Sequence, residues 1–203
     1  MRSLSEIDTL SKRASKGIGF SWGVSEEIGK SIKLMEMFGL PGLKNLNNYF
    51  KIIKKSQFQN ISLITDINIS NKIPYCPLIT GVNFMDQIHT LEKYNKITFN
   101  NMVYPILLIP FISRSSEIIG KRLSLKVENE TFLLNFNQSI HLKSNLSNLK
   151  DKVEVLEIEF LKNENTFDEK DWEELYKISE ETFVKENESL KNTAAGAGLT
   201  DND

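Results

Sequence analysis

The chain has 203 residues, 40% hydrophobic and 26% charged, with a net charge of −2 and a single cysteine, Cys76. That is ordinary globular composition, and one thiol excludes an internal disulfide and points to a reducing, cytoplasmic setting. The most apolar run, residues 102–112, holds Pro105 and Pro110 and is far shorter than the ~20 residues a membrane span needs. The charged start (Arg2, Glu6, Asp8) has no signal-peptide core, so no membrane association is expected.

Three helices open the chain. Ser3 and Glu6 have the spacing of a capping box, and Leu4, Ile7, Leu10 and Ala14 then share one helical face. Gly17 and Gly19 predict its end. A second helix starts between Ser21 and Ser25, buries Ile28, Ile32 and Met35, and stops at Gly39, where a left-handed cap is expected. Pro41 starts a third, with Leu43, Leu46, Phe50 and Ile53 as its apolar stripe.

The middle has strand character. Residues 61–67, 76–82 and 97–99 are short candidates, 102–109 reads as a buried strand, and 113–119 as a short helix. Residues 122–127 and 131–136 flank the polar Glu128-Asn129-Glu130 and predict a hairpin, and 152–161 predicts another strand. The last helix is expected over 168–186, with Thr166 and Glu169 as a capping pair and Trp172, Leu175, Ile178 and Phe183 as its apolar stripe. After Asn192 the chain becomes a Gly/Ala tail. Helices followed by strands and a helix predict an α+β class. The expected single domain has an N-terminal three-helix segment (1–57), a central, mostly antiparallel β region (58–162), a C-terminal acidic helix (163–192) and a flexible tail (193–203).

Charge is uneven: residues 1–60 carry +5, 61–150 carry +3, and 151–203 carry −10. The basic residues are interspersed with apolar ones rather than clustered. Mutual neutralisation across an interface is therefore preferred to nucleic-acid binding. A helix-turn-helix reading has only Lys44, Asn45, Asn47, Asn48 and Lys51 of the third helix to offer.

Two segments carry more than packing asks for. The first, residues 17–27, sets three glycines, Ser21, Trp22, Ser25, Glu26 and Glu27 between two helices. Its spacing and the lack of a preceding strand exclude a dinucleotide fingerprint. One reading makes Glu26 or Glu27 a base or amine ligand, with Ser21 and Trp22 binding substrate. The other makes the segment a tight interhelical loop, with Trp22 plugging the core and Ser21 or Ser25 as the cap. Arg114, read at the end of the buried strand, is the candidate clamp for a substrate carboxylate. The second segment is the tail, which reads either as a frayed end or as an arm that docks Leu199 and presents Asp201 and Asp203. No cofactor and no metal are expected: the histidines are His89 and His141, and no ligand spacing is present. Cys76 reads as a small buried hydrophobe before it reads as a nucleophile.

The opening Ser3-Leu4-Ser5-Glu6-Ile7, the stretch Gly17-Ile18-Gly19-Phe20-Ser21-Trp22-Gly23-Val24-Ser25-Glu26-Glu27-Ile28-Gly29-Lys30, the string Gly39-Leu40-Pro41-Gly42-Leu43 and the closing Gly196-Ala197-Gly198-Leu199-Thr200-Asp201-Asn202-Asp203 resemble an uncharacterised bacterial family catalogued as domain of unknown function 3726. Cys76-Pro77-Leu78 and Leu108-Ile109-Pro110-Phe111 extend the resemblance to the middle. It implies one full-length domain and supplies no catalytic residue. The leading expectation is a small-metabolite enzyme or enzyme subunit with its site near residues 17–27. The alternatives are a non-catalytic accessory subunit that binds a protein partner or forms a homo-oligomer and, third, a nucleic-acid binder.

Overall fold

The structure, a computed structural model, describes residues 2–135, 140–142, 149–162 and 166–182. Local capping fixes the first three helices. Helix α1 (Leu4–Ile18) opens on the expected box: the Glu6 amide donates to Ser3 Oγ at 3.2 Å, and the Ser3 amide donates to Glu6 Oε2 at 2.8 Å. Gly19, at φ 117°, ends it in a conformation that a Cβ would strain. Ser21 caps α2 (Trp22–Met37), accepting from the Val24 amide, and Gly39 at φ 70° follows its end. Helix α3 (Gly42–Ile53) buries Leu46, Tyr49 and Phe50.

Strand β1 is only Ile67–Asn68, so most of the expected strand over 61–67 is loop. The larger correction is at Cys76, where a strand was expected over 76–82. Cys76 is instead the N-cap of α4 (Pro77–Leu91). Pro77 stands at the first helical position, where its missing N–H costs nothing. Burial of Leu78, Thr80, Gly81 and Val82 hides the polar side of the helix pattern.

Strand β2 (Lys96–Val103) is longer than the expected 97–99. The run 102–109 is not one strand. Tyr104, at φ 44°, turns the chain into a 3-10 segment, Pro105–Leu108, which leads directly into α5 (Ile109–Ile119). Pro105 and Pro110 each sit in the first turn of their helical segment, and Ile106 to Ile112 are all buried. An element buried on every side shows no period, and this is why the run reads equally as strand or helix.

The hairpin is as expected, with β3 (Leu123–Val127) and β4 (Glu130–Leu134) joined at Glu128-Asn129. Strands β5 (Ile140–Leu142) and β6 (Lys152–Phe160) complete a six-stranded sheet of order β1-β2-β6-β3-β4-β5. Its pairings are antiparallel except β1 with β2. Phe136, expected in the hairpin, lies outside the described residues.

The fold is α+β, with helices beside a mostly antiparallel sheet. The core runs through Tyr49, Phe84, Phe99, Phe111 and Phe132, all fully buried. Residues 1–163 form one compact unit and 164–203 another. In the second, α6 (Glu169–Glu180) is capped by Asp168 with Asp171 rather than by Thr166 with Glu169, and Phe167 stacks on Trp172. Its expected extension to residue 186, including Phe183, lies outside the described residues. Among those described, no helix is long and apolar enough to cross a membrane.

Candidate functional site

The segment 17–27 is a tight turn followed by two turns of α2. Ser21 spends its hydroxyl on the Val24 amide, and its carbonyl accepts from the Ser25 hydroxyl at 2.7 Å. Trp22 does not plug the core. It is 57% exposed, and the Lys16 ammonium lies 5.4 Å from its ring centroid. Glu26 reaches outward to Lys12 at 3.7 Å.

Glu27 and Arg114, read separately as base and clamp, meet each other. Arg114 lies inside α5 rather than at a strand end, and its Nη2 donates to Glu27 Oε2 at 2.5 Å across 87 residues of sequence. Arg114 Nη1 also reaches Ser31 Oγ at 3.4 Å, and Lys30 donates to the other Glu27 oxygen at 2.7 Å. Burial pushes the Glu27 carboxyl up, but the hydrogen bonds from Lys30 and Arg114 outweigh it and hold the group below its ordinary value. A carboxylate engaged by two cations is a poor proton acceptor near neutrality.

A cleft of about 470 Å³ opens on the other side of the same turn. Ile18, Phe20, Phe58 and Ile79 make its apolar walls, and Ser21, Lys54, Ser56, Asn60 and Cys76 supply polar atoms. The segment after α3 is tied to Cys76 by backbone bonds: the Cys76 amide donates to the Gln59 carbonyl at 3.0 Å, and the Gln59 amide to that of Pro74 at 2.8 Å. Cys76, 1% exposed, sits at the edge of this cleft, and its Sγ accepts from the Tyr49 hydroxyl at 2.9 Å and the Ile79 amide at 3.5 Å.

Burial pushes the Cys76 thiol up against the opposing pull of these hydrogen bonds, and burial beside Cys76 pushes the Tyr49 hydroxyl up as well. Both groups are therefore protonated at neutral pH. The native thiol is expected to resist an aromatic disulfide reagent at mildly alkaline pH and to react at once in denaturant. Rapid labelling of the folded protein would contradict this. His89 is no partner for Cys76, because the two stand at opposite ends of α4, about 20 Å apart at the rise of a helix.

Sequence reasoning singled out Ser21 in this cleft but missed Lys54, Ser56, Phe58 and Asn60. The available signal was a polar run broken by one aromatic directly after a helix end. Among the described residues, no group of three or more His, Cys, Asp or Glu is placed to hold a metal. Leu199, Asp201 and Asp203 lie outside the described residues.

A family model described as a protein of unknown function (DUF3726) matches residues 2–74. That interval contains α1, α2, α3 and β1 and the motifs from Ser3 to Leu43; the motifs at Cys76, Leu108 and Gly196 fall beyond it. No curated protein and no solved structure matches the chain.

Proposed function

We propose that the chain binds a small metabolite in the cleft beside residues 17–27, and that the ligand has an apolar body and an anionic head. The observation that carries this reading is the lining itself. Its size suits a small ligand, its walls are apolar with a few polar groups, and among the described residues its one charged side chain is Lys54 and no carboxylate lines it. Binding is favoured over catalysis because Glu27 is engaged by Arg114 and Lys30, and because Cys76 and Tyr49 are both neutral and bonded to each other. An enzyme subunit that holds a metabolite for a partner's chemistry fits the same description. Lys12, Lys30 and Lys33 are taken up by Glu26, Glu27 and Asp8, so the nucleic-acid reading gains nothing from α1 and α2 beyond its α3 residues.

The test is a thermal-shift and calorimetric panel of hexanoate, phenylacetate and their neutral amides. A carboxylate at a hundredfold excess over its Kd is expected to stabilise the protein by about 2.7 kcal/mol, and its neutral amide at the same concentration by less. Ser56→Trp, an exposed position at the cleft, is expected to abolish the effect, and Lys54→Glu to remove the preference for acids. No stabilisation by any carboxylate would move the function to the accessory-subunit reading. That reading is favoured by Leu63, Ile67 and Ile69, which stand 72%, 62% and 61% exposed around the β1 edge.

A further inference from the structure

Strand β4 breaks its own pattern at one residue. Its buried side chains alternate as Glu130, Phe132 and Leu134, so a carboxylate occupies a position on the face that elsewhere carries core side chains. Glu130 is 6% exposed, and its Oε2 is enclosed with no hydrogen-bond partner among the described residues. An enclosed, unpaired carboxylate oxygen is costly, and retention of such a group in a strand that otherwise follows the apolar pattern points to a ligand rather than to packing.

Glu130 lines a cavity of about 240 Å³ at the hairpin end with Val127, Glu128, Leu149, Lys150 and Val153. Lys150 does not answer it, because its ammonium pairs with Glu128 at 2.9 Å. A larger polar hollow of about 850 Å³ shares Glu128, Lys150 and Val153 with this cavity and adds Lys72, Lys152, Glu154 and Asn101. Asn101 supplies a second orphan. Its Nδ2 donates to the Ser70 carbonyl at 3.0 Å, which fixes the amide, and its Oδ1 is enclosed without a partner among the described residues.

Two unanswered acceptors call for an N–H-rich cation, while Lys72 and Lys152 in the outer hollow favour an anion beside it. We infer that these adjoining hollows bind a small zwitterionic amino carboxylate, its ammonium on Glu130 and its carboxylate toward Lys72 and Lys152. This site uses none of the residues of the α1–α2 cleft and stands independently of it.

Calorimetry on full-length protein carrying Ser56→Trp, so that the first cleft does not contribute, tests the assignment with γ-aminobutyrate, ε-aminocaproate, butylamine and butyrate. An amino carboxylate is expected to bind more tightly than either half-ligand. Glu130→Gln is expected to weaken it at least about tenfold, a loss of roughly 1.4 kcal/mol. Glu130→Leu is expected to abolish binding while the melting temperature holds or rises, because a buried carboxylate with an unanswered oxygen is replaced by an apolar group of similar size. Lys72→Ala with Lys152→Ala is expected to equalise γ-aminobutyrate and butylamine. Absence of binding to the Ser56→Trp protein by any amino carboxylate, or unchanged affinity in Glu130→Gln, would overturn the assignment.

Discussion

Replacing Arg114 by alanine is expected to destabilise the protein by about 2–4 kcal/mol, measured by denaturant unfolding at neutral pH. The Glu27 and Arg114 side chains are 21% and 18% exposed, so truncation leaves a mostly buried carboxylate with only Lys30 to answer it. The estimate lies below the 3–5 kcal/mol typical of breaking a fully buried pair because Lys30 remains and water reaches both groups. Removing both charges, as Arg114→Met with Glu27→Leu, should recover most of the loss, since the cost belongs to the orphaned charge rather than to a missing attraction.

The same pair sets a pH dependence whose sign follows from Glu27. Its folded value is depressed below the ordinary 4.5, so the folded state binds the proton less readily than the unfolded chain does. The stabilisation is therefore complete above the ordinary value and is lost as pH falls through the depressed one. Wild type should weaken on acidification more steeply than Glu27→Gln, and parallel acid limbs would show that the pair contributes nothing.

Gly81→Ala is expected to cost about 2–3 kcal/mol, at the upper end of overpacking. A Cβ at Gly81 would stand 2.5 Å from Phe111 Cγ and 3.0 Å from Phe111 Cβ. Phe111 is fully buried and its neighbours Leu107, Leu108 and Ile112 are equally enclosed, so the ring has no free side to move into. Helices α4 and α5 would have to separate. For a chain of this size the melting temperature should fall by about 5–10 °C. Phe111→Leu in the Gly81→Ala background should cost less than the sum of the single changes, because each relieves part of the other's misfit. Additive losses would place the clash elsewhere.

Legibility followed the range of the interactions. The Ser3–Glu6 box, the stop at Gly19 and the left-handed Gly39 were readable because each is settled within four residues. Strands β3 and β6 were readable because apolar and polar residues alternate along much of Leu123–Val127 and Lys152–Phe160, and β4 because a polar turn separates it from β3. Helix α4 was missed, its first turns reading as a strand, and α5 was misread at its first turn, for the opposite reason: burial on all sides erases the period that separates helix from strand. The site was legible only in part. Residues 17–27 do border the cleft, but through Ile18, Gly19, Phe20, Ser21 and Val24 rather than through Trp22 or the two glutamates.

The sequence by itself determined the α+β class, the three opening helices and their caps, and the hairpin, all consequences of propensity, capping and local period. Tertiary structure decided that Glu27 and Arg114 neutralise each other, that Cys76 caps a helix under the Tyr49 hydroxyl, and that Glu130 Oε2 is enclosed with no partner among the described residues. Each of those outcomes depends on residues brought together across the fold, where desolvation changes what a charge or a thiol can do, and no local pattern carries that information.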